Sequence, residues 1–468
     1  MNAHHFLTGL LWLVTALATG AAEDTLQPWT ENPFYWSYRG APVALLGASD
    51  DDNLFQWPEE ELLAQLDRLA AAGGNVIRNT MSDRLDKGFE VYPYLRREDG
   101  KYDLNAWNEE YWTRFERLLR ETAARDIFVQ IEVWDRFDYT DSGNSGRWKR
   151  HPYNPGNNIN YTYQESGFSE HYPEHPGANK QPFFFTTPRQ RNNTVVLPYQ
   201  QRFVEKMLEH TLKYGHLLYC MDNETNGEEE WGRYWAGFIK ERAAKAGKAV
   251  YVTEMWDDWD LASPMHKRTF DHPEWYDFVD VSQNTHVKGR ENWDRLLQVR
   301  EYLNAAPRPM NTTKIYGADG NKFGDTAQDG IERFWRHLLA GAASVRFHRP
   351  DAGLGLSDKA TASIQAARKL MSKLPLWTLT PSEALLSECE PNEAYAAASP
   401  GHAYAVYFPA GGGRVTLNTP GVKGRFILFW VDVDSGEWGP EQQVESEDTM
   451  EMVTPGNGNW AVVMTTRQ

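Results

Sequence analysis

In the stretch LLYCMDNETNGEEEWG, Leu217 to Gly232, an apolar run ends in Asp222-Asn223-Glu224 and a helical pattern starts at once. An amide beside a carboxyl at that point has two readings. In one, Glu224 is only the acidic residue that a helix N-terminus favours. In the other, Glu224 is a catalytic acid and Asn223 the amide that positions substrate beside it. The same pattern of polar side chains at the ends of apolar runs recurs along the chain. Ser49-Asp50-Asp51-Asp52-Asn53, Arg78-Asn79, and Glu132 with Trp134 and Asp135 precede it. Glu254 with Trp256 and Asp257, Asn284 with His286, Lys314 with Tyr316 and Asp319, and Arg346 with His348 follow it. Many carboxylates, several aromatics and no Cys/His metal spacing favour acid–base work on a polyhydroxylated ligand, with no metal and no cofactor. Cleavage of a glycosidic bond uses two carboxyl groups, one protonated as the acid and one ionised.

The elements that must carry these residues alternate. Apolar runs at 43–49, 75–80, 127–134, 216–223, 249–256, 277–286, 309–317 and 343–349 are strand candidates. Amphipathic patterns at 58–74, 106–126, 199–214, 228–247, 291–304, 327–341 and 357–374 are helix candidates. Continuous apolar strands between helices indicate a buried parallel sheet. Eight such units predict an α/β fold, a (β/α)8 TIM barrel over residues 23–378, in which strand C-terminal ends converge on the active-site face. A doubly wound open sheet is the alternative, but no Gly-rich dinucleotide or phosphate fingerprint supports it. From about residue 379 to 468 the texture changes to short alternating runs broken by Gly, Pro and Asn, which predicts an antiparallel β-sandwich.

Residues 136–198 form a long insertion after strand 3. It is rich in Asn, Gly and Pro, in aromatics such as Trp148, Tyr153 and Phe183, and in Arg and Lys. Its aromatic content argues against disorder, and its position places it over the mouth of the barrel.

Bulk composition narrows the class. The 468 residues carry 19 Trp, 22 Tyr and 21 Phe, and flat rings suit both cores and stacking on sugars. A net charge of −17 argues against nucleic acid or an anionic membrane as partner. Residues 6–18, FLTGLLWLVTALA, followed by Thr19-Gly20-Ala21-Ala22, read as a signal peptide over 1–22, so a secreted or periplasmic protein without a membrane span is expected. Cys220 and Cys389 have neither metal nor redox spacing, and no disulfide between them is expected. The oligomeric state is left open.

The Asn223-Glu224 pair resembles the acid/base position of glycoside hydrolase clan A, whose members are (β/α)8 barrels. The start ENPFYWSYRGAPVALLGAS is similar to the opening strand of bacterial apiosidase-like hydrolases. The tail YAVYFPAGGGRVTLNTPG…FWVDVDSGEWG resembles a β domain, often labelled collagen-binding, that closes many such secreted enzymes. The resemblance spans most of the mature chain. It implies hydrolysis of an oligo- or polysaccharide, with Glu224 as a general acid of raised pKa and Asn223 bonding a sugar hydroxyl. In clan A the nucleophile is a Glu ending strand 7, and here RPMNTTKIYG puts Lys314 in its place. Three readings follow. Asp319 replaces the nucleophile; Glu254 or Glu132 supplies the second carboxylate, with Glu254 favoured because strand 5 adjoins strand 4; or the protein binds glycan without cleaving it. Asp50, Arg78, Glu132, Trp134, Asp135, Trp256, His286, Lys314, Tyr316, Arg346 and His348 complete the expected substrate-binding set. Trp134 and Trp256 have a core reading beside this one. The cations either receive a uronic or sulfated sugar or neutralise the mouth carboxylates. A polysaccharide lyase with Lys314, Tyr316 or His286 as base is the remaining alternative.

Overall fold

Eight fully buried strands form the centre of the molecule. They are β1 (Leu45–Ala48), β2 (Val76–Thr80), β3 (Phe128–Asp135), β4 (Leu217–Asn223), β5 (Val252–Thr253), β6 (Val279–Asp280), β7 (Met310–Ile315) and β8 (Ser344–Phe347). The computed structural model describes residues 24–466 apart from 83, 84, 86, 321–324, 383 and 412, so the expected signal peptide lies outside the described residues. Parallel hydrogen bonding runs in the order β5-β4-β3-β2-β1-β8-β7-β6. The remaining seam, between β5 and β6, is bridged by the Asp277 amide on the Val252 carbonyl at 2.9 Å and by Thr253 Oγ1 on the Phe278 carbonyl at 2.8 Å. The barrel is thus nearly closed.

The amphipathic segments form the outer ring. They are α1 (Glu59–Ala71), α2 (Glu109–Ala123), α3 (Leu197–Thr211), α4 (Glu229–Lys245), α5 (Pro264–Phe270), α6 (Gly289–Tyr302), α7 (Ala327–Leu339) and α8 (Asp358–Lys373). Their starts follow ordinary capping chemistry. Asn108 accepts from the Glu110 amide ahead of α2, Thr326 and Asp329 form a capping box on α7, and Ser357 accepts from the Ala360 amide ahead of α8.

Beneath the strands, a hairpin-like sheet (Gln27–Pro28, Trp36–Tyr38, Ala41–Val43) closes the N-terminal end of the barrel. Trp36 is fully buried there, edge-on to Tyr251 and Phe278, and its indole donates to Asn311 Oδ1 at 3.0 Å. The insertion after β3 is packed rather than open. Trp148, Tyr153, Phe168 and Phe183 are buried, and Trp134 lies among Phe183, Trp231 and Trp235. Trp134 therefore takes its core reading.

The C-terminal β domain is antiparallel, with strands Thr380–Pro381, Leu386–Ser387, Tyr395–Ser399, Ala403–Phe408, Arg414–Asp432, Trp438–Val453 and Trp460–Thr466. They are hydrogen-bonded as one seven-stranded sheet, whose longest pair carries register shifts. Two layers arise because this sheet curls, not because two sheets stack. Strand alternation divides its residues. Tyr395, Ala397, Tyr407, Val431 and Val463 join the core shared with the barrel, where Tyr407 stacks on Trp335 of α7 at 5.4 Å. Ala396, Val406, Phe408, Phe426, Leu428 and Val462 enclose a second core with Leu417, Met450 and Met452. No disulfide joins Cys220, buried in β4, to Cys389 in the β domain.

β1 and β2 meet at the register pair Gly47–Val76. A Cβ on residue 47 would overlap the Val76 carbonyl oxygen, so only glycine fits this approach. Gly47→Ala is expected to destabilise the protein by roughly 3 kcal/mol, as overpacking of a rigid core does. Urea unfolding measures it, and an unchanged midpoint would mean that the two strands part freely.

Candidate active site

The C-terminal ends of the strands surround a cavity of about 380 Å³. Asp52, Arg78, Asn223, Glu224, Asp257, Lys314, Tyr316 and Arg349 are among its lining residues. His286 and His348 add imidazoles, and Phe137, Arg147 and His175 reach it from the insertion.

At its centre, Lys314 Nζ on β7 donates to Asn223 Oδ1 at 2.5 Å and to Glu224 Oε1 at 2.6 Å. Tyr316 Oη donates to the same Glu224 oxygen at 3.1 Å. Burial alone would raise the Glu224 pKa, but Lys314, then the Arg78 charge and the Tyr316 hydrogen bond, outweigh it and bring it down to about 2. This corrects the expectation of a raised value: the nearest charge is an ammonium, not a second carboxylate. Burial and the Glu224 charge push the Tyr316 phenol well above 10, so it remains a donor.

Glu224 has φ +51°, in the left-handed region that costs a non-glycine residue roughly 1–3 kcal/mol. Neighbouring bonds hold it there. The Thr225 amide donates to the Met255 carbonyl and the Asp257 amide to the Thr225 carbonyl, both at 2.8 Å. Buried Arg136 donates to Thr225 Oγ1 at 2.7 Å. This lengthened β4–β5 pairing sets Asp257 beside Glu224. Asp257 has one side open to the cavity, yet enclosure by the cavity wall and then the Glu224 charge raise its pKa above the ordinary 3.8.

A second charge cluster forms the floor. Asp52 accepts ion pairs from Arg78 at 2.6 Å, Arg349 at 2.8 Å and Arg346 at 3.2 Å. Burial opposes its charge, but the guanidinium groups of Arg78, Arg349 and Arg346 hold it well below the usual carboxylate range. Arg78 Nε donates to Glu132 Oε1 at 2.5 Å, and Arg346 donates to the Thr313 carbonyl and Ser49. Burial lowers both His286 and His348, which favours neutral imidazoles at neutral pH.

The cavity thus gathers Asn223, Glu224, Arg78, Lys314, Tyr316, His286 and His348 from the residues expected on sequence, with Glu132 and Arg346 one contact away. Others lie elsewhere. Glu254 is buried behind the sheet, where its Oε1 accepts from the Asp222 and Met255 amides at 2.9 and 3.1 Å and a Cβ on Gly232 of α4 would strike it. Burial, then the charge of Asp222, raises its pKa well above normal. It faces α4 because strand residues alternate. Trp256, two residues on, shares that outward side, with its indole on Thr269 Oγ1 of α5 at 2.7 Å. Asp319 Oδ1 accepts from the Ala327 amide at 2.9 Å, at the start of α7. Asp50 Oδ1 accepts from the Leu356 amide at 2.7 Å, and Asp135 Oδ1 from the Phe137 amide at 3.1 Å. Sequence reasoning placed Asp257 at the strand end beside Glu254 and Trp256 but gave the second carboxylate to Glu254, although the parity of Glu254 and Trp256 singles out Asp257. Asp52 was named only within the run Asp50-Asp51-Asp52 and Arg147 only as part of the basic insertion, while Gln283, Arg349, Phe137 and His175 were missed, and no local signal marks Phe137 or His175. Among the described residues, no group of three His, Cys, Asp or Glu side chains is placed to hold a metal ion, and no helix is long and apolar enough to cross a membrane.

No family model and no curated protein matches the chain. Among solved structures, a glycoside hydrolase of family 5 from Bacteroides vulgatus is similar with a TM-score of 0.63 and 13% identity, covering 94% of each chain. Another glycoside hydrolase gives 0.59 at 12% identity over 94% of this chain and 98% of that one. A gamma-CGTase from alkalophilic Bacillus clarkii gives 0.53 at 10% identity over 91% and 70%. The likeness is one of fold: a (β/α)8 barrel with a C-terminal β domain.

A carboxylate whose folded pKa lies below its unfolded value stabilises the fold above the unfolded pKa and loses that contribution as pH falls through the folded one. Glu224, drawn from 4.5 to about 2, is such a group. The stability gap between wild type and Glu224→Gln is expected to be flat above about pH 5 and to close as pH falls toward 2. Urea unfolding across that range measures it, and a gap independent of pH would contradict the ion pair with Lys314.

Proposed function

We propose that this chain is an exported glycoside hydrolase in which Glu224 is the ionised carboxylate and Asp257 the acid. One observation carries the reading. Two carboxyl groups in one cavity are pushed in opposite directions, Glu224 down by Lys314 and Asp257 up by enclosure and by Glu224. Groups split in this way are how paired carboxylates divide acid and base roles. Asp257 gives its proton to the leaving glycosidic oxygen as the C–O bond breaks. Glu224 either bonds to the anomeric carbon, to be displaced by water, or takes a proton from the water that attacks it. Asn223 and Tyr316 border the same carboxylate and are placed to bond sugar hydroxyls. The fold shared with glycoside hydrolases and the leader-like residues 1–22 support the reading.

Pairing within the cavity favours an uncharged sugar over a uronic or sulfated one. Arg78 faces Asp52 and Glu132, Arg349 faces Asp52 and Asp351, Lys314 faces Glu224, and Arg147 lies 3.8 Å from Asp138. The same engagement disfavours Lys314 as the base of a lyase. A non-catalytic glycan-binding protein is the second reading, supported by the ammonium of Lys314 where clan A hydrolases carry a carboxylate. It predicts saturable binding with no product.

Incubation of the purified protein with neutral, uronic and sulfated glycans, with products followed by mass, decides between them. Release of a sugar that has gained one water from a neutral glycan is expected. Glu224→Gln and Asp257→Asn are each expected to lower kcat by about 10²–10⁴-fold. Wild-type turnover by Glu224→Gln would refute the assignment.

Activity should also require Glu224 ionised and Asp257 protonated. The acid limb of the pH–rate profile is then expected far below neutrality, and the alkaline limb should disappear in Asp257→Asn. Substrates whose leaving group needs no proton should be largely spared in that variant. An alkaline limb retained in Asp257→Asn would assign the acid to another group.

A further inference from the structure

Trp259 is the most exposed large apolar side chain among the described residues, at 56% of its surface. It stands two residues beyond Asp257, on the loop after β5, at most ~7 Å away along the backbone. Exposed hydrophobic residues are common and need no explanation singly. This one is held in place. Arg295 of α6 donates to the Trp259 carbonyl at 2.6 Å and sets its guanidinium over the indole at 5.0 Å from the ring centre. Glu291 fixes the other end of Arg295 at 2.6 Å. The loop around it is tied as well. The Asp258 carbonyl meets His266 Nε2 at 2.6 Å, and the side chains of Asp258 and Asp260 accept from the amides of Asp260 and Ala262 at 3.0 and 3.1 Å.

A free indole on a mobile loop loses freedom when it binds, whereas one already clamped does not. A flat, immobilised, solvent-facing ring on the loop that carries the mouth carboxylate suits the apolar C–H face of a pyranose, with hydroxyls left in water. We infer that Trp259 is an outlying stacking subsite for a sugar unit beyond those in the 380 Å³ cavity, so that the protein selects oligomeric glycans over single glycosides. This rests on the hydrolase reading for its substrate, and its test separates the two.

The experiment compares wild type, Trp259→Ala and Trp259→Phe on a chain-length series of the glycan that the wild type cleaves, beside a single-sugar aryl glycoside. Trp259→Ala is expected to raise KM about tenfold on the longer oligomers, with kcat little changed and the aryl glycoside unaffected. Trp259→Phe should recover most of the loss, because a flat ring remains. Equal kinetics of Trp259→Ala and wild type at every chain length would overturn the subsite while leaving hydrolysis intact. If the wild type cleaves nothing, titration of wild type and Trp259→Ala by calorimetry with a chain-length series of the glycan that the wild type binds replaces kinetics, and binding to no glycan overturns the subsite. Weaker binding of long oligomers by Trp259→Ala then supports the subsite without the hydrolase, and unchanged binding overturns it.

Discussion

The contact between Lys314 and Glu224 is the interaction around which the mouth of the barrel is arranged. A buried ammonium is tolerated only with acceptors in place, and a part-buried carboxylate stays charged only beside a cation. Each supplies what the other needs at 2.6 Å, and Asn223 takes a further Lys314 proton at 2.5 Å. The link joins β4 to β7 across the barrel axis. It thereby sets the charge state of Glu224, and that charge adds to the loss of water around Asp257 in raising the Asp257 pKa.

The floor beneath repeats the same physics with more partners. Asp52 has three guanidinium groups within 3.2 Å, and one of them, Arg78, also binds Glu132. Such a cluster is costly to desolvate, so its worth lies less in net stability than in geometry. Guanidinium groups that each bridge two acceptors leave little freedom in the directions of the strands they join. The left-handed backbone at Glu224 is supported from outside in a comparable way, by Arg136 and the extended β4–β5 pairing.

Much of this was legible in the sequence because the signals are local. Apolar runs at 75–80 and 343–349 became Val76–Thr80 and Ser344–Phe347, and the helical patterns at 58–74 and 357–374 became Glu59–Ala71 and Asp358–Lys373. Residues at strand ends, including Asn223, Glu224, Lys314 and Tyr316, could be assigned to the mouth from topology alone. Glu254 went astray because β5 is only two residues long, so position after the strand said less than side-chain parity. The charge state of Glu224 was not legible, since it depends on a partner 90 residues away. Nor was the cavity wall contributed by Phe137, Arg147 and His175, whose approach is decided by the packing of a long insertion. The β domain was visible as an alternation of apolar residues, but alternation cannot tell a curled sheet from two stacked ones.

The plug under the barrel bears on the order of assembly. Trp36 reaches Asn311 across 275 positions of chain, and β1 pairs with β8 across about as many. Contacts so distant in sequence cost loop entropy before they return any enthalpy, and they form late. A ribosome or a translocation channel that delivers this chain from its N-terminus releases the plug and first strand long before their partners exist. Until β8 emerges, β1 has an unpaired edge and the Trp36 ring has only part of its socket. The barrel is therefore obliged to wait for nearly its whole length before it can shut, and the chain stays open, and threadable, for most of its synthesis.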